Sequence, residues 1–532
     1  MIYVIGSGPA GTACAHRLVQ NGLKVVMLDA GVELEQEKEK IIKDLQETNE
    51  EQWDSNLVNK IKGEMDAKAT DGPLKLSYGS DYPYKEVQDH MPITSRGVLC
   101  RPSFAKGGLS SVWGASVMPY SKKDIESWPI SISELAPYYK EVLKFMKIAC
   151  FEDDLAAKFP LYTEDHDTFT HSRQAELLLE VFKKNKKKLN DNGIIFGNSR
   201  LAVKFSSSNS DKNKKRCTYL GMCLYGCPYK LIYSTADTLE ELKKCNNFKY
   251  ISNVIVDKIV EKDNKSLIIA HDKTTNESIK FIGNKTFLAC GTISSTRIML
   301  ASMNSYDMPL TIKDSQHFFF PCLMYKYAGD VTKERLHTLC QLNIEIDDKK
   351  IDNHDIHLQI YTYLDLYESA LKKMMGPFYN IFKVPLKFIL GRIILIKGYL
   401  HSDSSSRVSI MLIKKPGKEK DEVILEKIEN PVTDKKVKRI AMKLFKNQFL
   451  LRLIPMISFL KISKPGGGNH YGGSFPMSNK PKMFESDRLG RPFGFKNLHI
   501  VDASIFPSIA AQTITLTIMA NACRIADNYD KK

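Results

Sequence analysis

The chain has 532 residues, 43% of them hydrophobic, which is enough to bury one large core or two and places it among globular proteins that divide into domains. Its 77 basic and 61 acidic side chains leave a formal charge of +16. That suits an acidic partner, an anionic substrate or a membrane surface, or reflects lysines spread over the whole exterior; with no helix-turn-helix, zinc-finger or RNA-binding signature beside it, nucleic acid is excluded as the expected partner.

The chain opens on a buried-strand pattern, Ile2-Tyr3-Val4-Ile5, with neither the charged region nor the cleavage site of a secretory peptide. Gly6-Ser7-Gly8-Pro9-Ala10-Gly11 follows as a tight turn, and Thr12 to Asn21 as a helix. In this frame Gly6 permits the turn, Gly8 lets the backbone approach a pyrophosphate at the helix N-terminus, and Gly11 lets helix and strand pack closely. Lys24 to Leu28 reads as the second strand, ending in Asp29, an acid placed to hold ribose hydroxyls. Strand, turn, helix, strand and acid in this order predict a dinucleotide-binding unit, without separating FAD from NAD. Glu33 to Lys68 is highly charged at helical spacing and predicts a surface helical insert.

Lys106 to Pro119 (KGGLSSVWGASVMP) is a second glycine-rich loop, whose Gly107, Gly108, Ser110, Trp113 and Gly114 suit a backbone running along a flat ring system and its phosphates. Here the chain resembles the glucose-methanol-choline (GMC) family of FAD-dependent oxidoreductases, whose second flavin-binding motif has this form. The resemblance extends to Asn253–Ile259, including Val254, and to Lys285–Leu300 (KTFLACGTISSTRIML), similar to the family's strand and turn beside the adenosine. It implies an α/β fold: a Rossmann-type FAD-binding domain over 1–309, an inserted α+β substrate domain on an antiparallel sheet over 310–465, and a return to the FAD domain over 466–532. Some members attach flavin through a histidine in the second loop; Val112 stands at that place, which implies non-covalent FAD.

Ile132 to Met146 predicts an amphipathic helix. Cys217, Cys223 and Cys227 then crowd into RCTYLGMCLYGCPYK. Eleven cysteines in a chain without a secretory signal argue for reduced thiols or a metal site rather than disulfides. The C-x5-C-x3-C spacing resembles the cysteine loop of FAD-dependent sugar dehydrogenases within the GMC family, which implies three ligands of a [3Fe-4S] cluster; related fatty alcohol oxidases carry a cysteine-glycine segment here with no established cluster, so structural thiols are the other reading.

Leu342–Ile346 and His357–Tyr361 alternate as strands of a sheet covering the flavin, and Tyr399 to Val408 resembles a further strand of it. Lys372–Lys397 and Lys438–Lys464 mix basic and apolar residues as an interfacial helix on anionic lipid would, or as an amphipathic helix covering the sheet would. No run reaches the ~20 apolar residues of a membrane-spanning helix, so the expected compartment is the cytoplasm or its membrane face.

The C-terminal stretch carries the chemistry. Oxidising an alcohol needs a base for the hydroxyl proton and an acceptor for the hydride. His470, in the frame His470-x-x-Gly473-Ser474-x-x-Met477, matches the family's catalytic histidine. The family's second residue, His or Asn, is replaced by Thr513, beside Gln512; neither is a base, so His470 alone handles the proton. Asp502 and Ala503, in a VDAS turn, are expected beside the flavin, with the helix from Thr515 aiming its N-terminus at the ring carbonyls. The resemblance implies oxidation of a CH-OH group, in a dehydrogenase rather than an oxidase, with a carbohydrate or polyol as substrate and a quinone or protein as electron acceptor. The alternatives are a long-chain alcohol oxidised at a membrane surface, and a flavin-binding scaffold that has lost turnover.

Overall fold

A computed structural model describes residues 1–63, 75–205, 216–417 and 420–531. The charged insert forms two helices, Gln36–Glu47 and Ser55–Lys62; its last residues, 64–68, lie outside the described ones.

Ile2–Ile5 is the central strand of a five-stranded parallel sheet ordered Leu498–Ile500, Lys285–Leu288, Ile2–Ile5, Val25–Leu28, Phe248–Ile251. Parallel strands covered on both faces are apolar throughout, and Val25–Leu28 is buried at every position. The first strand turns into the helix Pro9–Gln20, with proline at its first position. A Cβ on Gly11 would fall 1.9 Å from the Gly6 carbonyl oxygen, so no other residue allows this helix so close to the turn. The last helix, Thr515–Asn528, packs beside the first, and Arg17 donates from Nε to Asp527 Oδ1 at 2.8 Å, joining residues 510 apart in sequence.

Two further sheets form the rest of the site. One has the order Tyr471–Gly472, Leu310–Asp314, Arg407–Ile413, Glu422–Ile428, Ile93–Arg96. The other is ordered Leu453–Pro455, His317–Met324, Ile393–Tyr399, Ile356–Tyr361, Leu342–Ile346, Ile194–Asn198, with Lys461–Ile462 also paired to His317–Met324. This larger sheet takes Ile194–Asn198 from well before residue 310, and the helix Arg173–Asp191 buries Ala175, Leu178, Phe182 and Leu189 in its core.

The chain passes between these sheets at two corners. Asp314 leads through Ser315 and Gln316 to His317; Tyr399 leads through residues 400–406 to Arg407. The corners are tied together, with Leu400 N donating to Gln316 O and Gln316 N donating to Ser405 Oγ. Tyr399 to Val408 is therefore a corner and not the single strand expected. Its polar side chains explain why: His401 Nδ1 accepts from Asp403 N, and Ser405 Oγ donates to His401 O, so local hydrogen bonds replace a strand ladder.

The two basic-apolar stretches are also interrupted. The first contains the end of Asp365–Met375, a break at Gly376-Pro377, the short helices Phe378–Ile381 and Lys383–Leu390, and then a strand. The second contains most of Thr433–Lys446, whose Val437, Ile440, Ala441 and Leu444 cover the larger sheet, then the turn Gln448–Leu451 and a strand.

Candidate active site

A cavity lies at the carboxyl ends of the parallel strands, where open α/β sheets bind ligands. Gly6, Gly8 and Asp29 line one wall, Gly108 a second, Val254 a third, and Asp502 with Ala503 the fourth. The two glycine loops meet here: a Cβ on Gly108 would stand 3.0 Å from Gly8 Cα, and Gly108 has φ +56°. Both the first and the last helix bring their N-termini to the wall, at Gly8–Ala10 and Ile514–Thr515. Neither has a side-chain cap or an acidic residue in its first turn, which leaves the positive ends of both helices open to an anionic or carbonyl-bearing ligand.

Asp29 is buried and its carboxylate accepts from Ser7 N (3.0 Å), Ser7 Oγ (2.6 Å) and Tyr250 OH (2.9 Å). Burial pushes its pKa up to about 6, against the pull of those donors. Asp502 accepts from Gly291 N, Ser295 Oγ, Ser504 N and Ser504 Oγ, which fastens the VDAS turn to the start of the helix Thr292–Ser302. Ala503 O in turn accepts from Gly473 N at 2.9 Å, and a Cβ on Gly472 would come within 2.2 Å of that oxygen. The turn therefore holds the His470 loop against the cavity.

His470 stands at the corner between the two further sheets, outside the cavity lining, to which its neighbours Asn469 and Tyr471 contribute. Ser315 N donates to its carbonyl at 2.9 Å, and Gly466 N donates to the buried Asp314 carboxylate at 2.9 Å, so both ends of the loop are anchored. The imidazole stacks on Tyr399, with centroids 5.0 Å apart. Enclosure drives its pKa down to about 3, with the Lys397 ammonium and His357 adding to the effect. The ring is thus neutral at physiological pH, and its Nδ1 is enclosed without a hydrogen-bond partner among the described residues.

Beneath His470 lies one face of the larger sheet. Strict alternation sends Leu342, Ile344, Ile346, Leu358, Ile360 and Ile396 to the apolar core and leaves Asn343, Glu345, His357, Gln359, Lys397 and Tyr399 on the opposite face. Pairing places Glu345 opposite His357 and His357 opposite Tyr399, so these residues form a contiguous polar floor. Glu345 and His357 are both fully buried, with Oε1 and Nδ1 2.5 Å apart, and Gln512 Nε2 donates to Glu345 Oε2 at 3.0 Å. Gln512 thereby links the segment before the last helix to this floor. Thr513, also buried, has its Oγ1 unpartnered among the described residues, as are Gln512 Oε1 and the Nδ1 of the adjacent His317.

Residues 15–304 match the model of the N-terminal region of the GMC oxidoreductases, and residues 456–522 that of their C-terminal region. The chain belongs to the GMC oxidoreductase family. No curated protein matches it in sequence. Solved structures share the fold: pyridoxine 4-oxidase from Mesorbium loti at 14% identity and TM-score 0.56, over 100% of this chain and 99% of that one. A formate oxidase matches at 12% identity and TM-score 0.58, over 99% and 97%. A variant of the Aspergillus oryzae RIB40 formate oxidase, made to study FAD modification, matches at 11% and 0.57 over the same shares.

This GMC oxidoreductase is an FAD enzyme, and its cavity fits that cofactor: pressed glycine loops, two uncapped helix N-termini and a buried acid on the second strand supply what a dinucleotide requires. Of the expected cofactor residues, Gly6, Gly8, Asp29, Gly108, Val254, Asp502 and Ala503 line the cavity, and Gly11 packs behind the turn. Gly107 and Gly114 are not in its lining, and Ser110 and Trp113 face a neighbouring cavity instead. Gly107 N donates to Ser7 Oγ, Ser110 Oγ donates to Gly107 O, and Trp113 Nε1 donates to Tyr233 O, so these residues brace the loop. Val112 is buried.

The cysteine loop borders that neighbouring cavity through Cys223 and Cys227, while Cys217 is absent from its lining. Burial pushes Cys217 up to about 11 and Cys227 up to about 12, and raises Cys223 as well. Among the described residues the three sulfurs do not lie mutually within 4.8 Å, so a [3Fe-4S] cluster gains no support from the geometry. Among the described residues, one set of ligand-type atoms lies mutually within 4.8 Å: His354, His401 and Asp403. Its two imidazoles stack face to face 3.5 Å apart, and His401 Nδ1 already accepts from Asp403 N, so their lone pairs do not converge on one ion.

Sequence reading missed the polar floor, although the alternation of Leu342–Ile346 and His357–Tyr361 signalled a polar face opposite the apolar core. It also missed His90 and Arg297, both in the cavity wall. They are joined through His271 and Asp257, with His90 Nδ1 3.1 Å from His271 Nε2, His271 Nδ1 2.9 Å from Asp257 Oδ2, and Arg297 donating to Asp257.

Proposed function

We propose that this enzyme oxidises the CH-OH group of a small, hydroxyl-rich molecule, a carbohydrate or polyol, with His470 as the base. The observation that carries the reading is the group of buried polar atoms without partners among the described residues, on His470, His317, Gln512 and Thr513, around a floor of Glu345, His357, Gln359 and Lys397. Buried polar atoms demand partners, and a molecule bearing several hydroxyls supplies donors and acceptors together.

Bound FAD supplies the hydride acceptor. The neutral His470 offers a lone pair to the substrate hydroxyl proton, and the loop anchors at Ser315 and Asp314 hold it in place. Tyr399 fixes the ring plane by stacking. Lys397 disfavours a positive charge on His470, which keeps the imidazole unprotonated and its lone pair free, while the Glu345–His357 pair orients the floor. Thr513 Oγ can hold the substrate oxygen but cannot take its proton.

Mixing anaerobic enzyme with sugars, polyols and straight-chain alcohols tests this reading: bleaching of the flavin absorbance by a sugar or polyol is expected. Bleaching by long-chain alcohols alone would move the substrate to the apolar class, and no bleaching by any of them would point to a flavin-binding scaffold. The cysteine loop is read as structural, so anaerobically purified protein should contain no iron; stoichiometric iron and sulfide would restore the cluster and its relay to a quinone or protein acceptor.

A further inference from the structure

Two apolar segments meet at the end of one strand, on the edge of the larger sheet. The strand His317–Met324 pairs on one side with Ile393–Tyr399, which leaves the helix Lys383–Leu390, and on the other with Leu453–Pro455, which leaves the turn Gln448–Leu451. Just beyond Met324, the Tyr327 ring packs on Phe388 with centroids 4.8 Å apart, and the Tyr325 ring meets Phe449 at 6.3 Å. The two segments are thus neighbours around one point.

Both expose large apolar side chains to an extent that a folded surface seldom tolerates. Val384 is 80% exposed, Ile381 72%, Phe449 68% and Phe459 58%. Each short helix also turns a residue inward: Tyr379 beside Ile381, Leu386 and Leu390 beside Val384, and Leu451 beside Phe449. The outward residues are therefore additional to what the core requires.

Charge selects the occupant. No Asp or Glu stands between Glu368 and Asp403, or between Asp434 and Glu485, in a chain with 61 acidic residues. Within those same stretches and next to them, Lys383, Lys446, Arg452 and Lys461 are exposed, as is Lys326 between the two tyrosines. We propose that this face docks peripherally on an anionic lipid surface, the apolar tips entering the interface and the basic rim meeting the headgroups. A second copy of the chain would bring two basic rims together, and an apolar protein groove would leave the rim unmatched. Among the described residues no helix is long and apolar enough to cross a membrane, so the contact lies on the surface. The proposal does not rest on the redox reading, because lipid binding needs no turnover.

The test is sedimentation of the FAD-loaded enzyme with phosphatidylcholine vesicles, with and without phosphatidylserine. Binding is expected to the anionic vesicles, to be released by salt, and to fall at least about tenfold in the variant carrying Ile381→Glu and Val384→Glu. Phe449→Ser, on the second segment, should weaken it independently. Flavin content and absorbance of each variant report an intact fold. Absence of binding to either vesicle, equal binding to both, or undiminished binding by both variants would overturn the proposal; so would a dimer in solution that Ile381→Glu with Val384→Glu dissolves, which would assign the face to a second copy.

Discussion

The cavity at the parallel sheet and the floor beneath His470 are built from different materials. The part of the cavity suited to a pyrophosphate is backbone, two glycine loops in contact and two bare helix N-termini, with Asp29 at a strand end beside it. The floor is made of side chains projected from separate strands, Glu345, His357 and Lys397, brought together only by sheet pairing. A backbone site tolerates almost no added volume and recognises a shape common to many dinucleotides. A side-chain site tolerates exchange, and the proposed function assigns the choice of substrate to it.

If that contrast is right, substitutions in the two regions separate flavin retention from turnover. The largest effect is expected at the junction: His470→Ala should lower the rate of flavin reduction by about 10³-fold, within the usual range for a positioned base, while FAD stays bound. At the backbone site, Gly108→Ala places a Cβ 3.0 Å from Gly8 Cα at a residue with φ +56°. Strain of this kind costs about 1–3 kcal/mol, so FAD affinity, read by flavin fluorescence, should fall about 5- to 150-fold, with the rate of the loaded enzyme little changed. In the floor, Glu345→Gln removes the carboxylate that faces His357. The expected result is a fall in kcat/KM of about tenfold, ~1.4 kcal/mol, with full flavin content.

The smallest effect is on pH dependence. Protonated His470 cannot accept the substrate proton, so activity is lost as pH falls through its pKa, which burial and then Lys397 hold down to about 3. Lys397→Met removes the second of these causes, so the acid limb of kcat/KM should move upward by about one unit and still lie below the ordinary histidine value of ~6.5, because burial remains. An acid limb that stays in place would remove Lys397 from the account.

The same contrast explains what could be read from the sequence. The glycine turn, Asp29, the second glycine loop and the VDAS turn are local patterns whose spacing fixes their geometry, and Gly6, Gly8, Asp29, Gly108, Asp502 and Ala503 line the cavity. Ser110 and Trp113 do not, because sequence shows that a loop carries them but not which side of the loop they occupy; both face the neighbouring cavity. The floor was only half legible. Alternation in Leu342–Ile346 revealed a two-faced strand, but Glu345 meets His357 through pairing across an intervening turn and meets Gln512 from 167 residues away. The corner at Tyr399 to Val408 was hidden because its serines satisfy the backbone locally, which no hydrophobic pattern records.

His470, the proposed base, joins the two regions. The most direct test of that role is the single-turnover rate of anaerobic flavin reduction, by a donor that bleaches the native enzyme, in His470→Ala protein with full FAD content. A rate about 10³-fold below that of the native enzyme is expected. A rate equal to the native one would show that the proton leaves by another route, and would contradict the site described here.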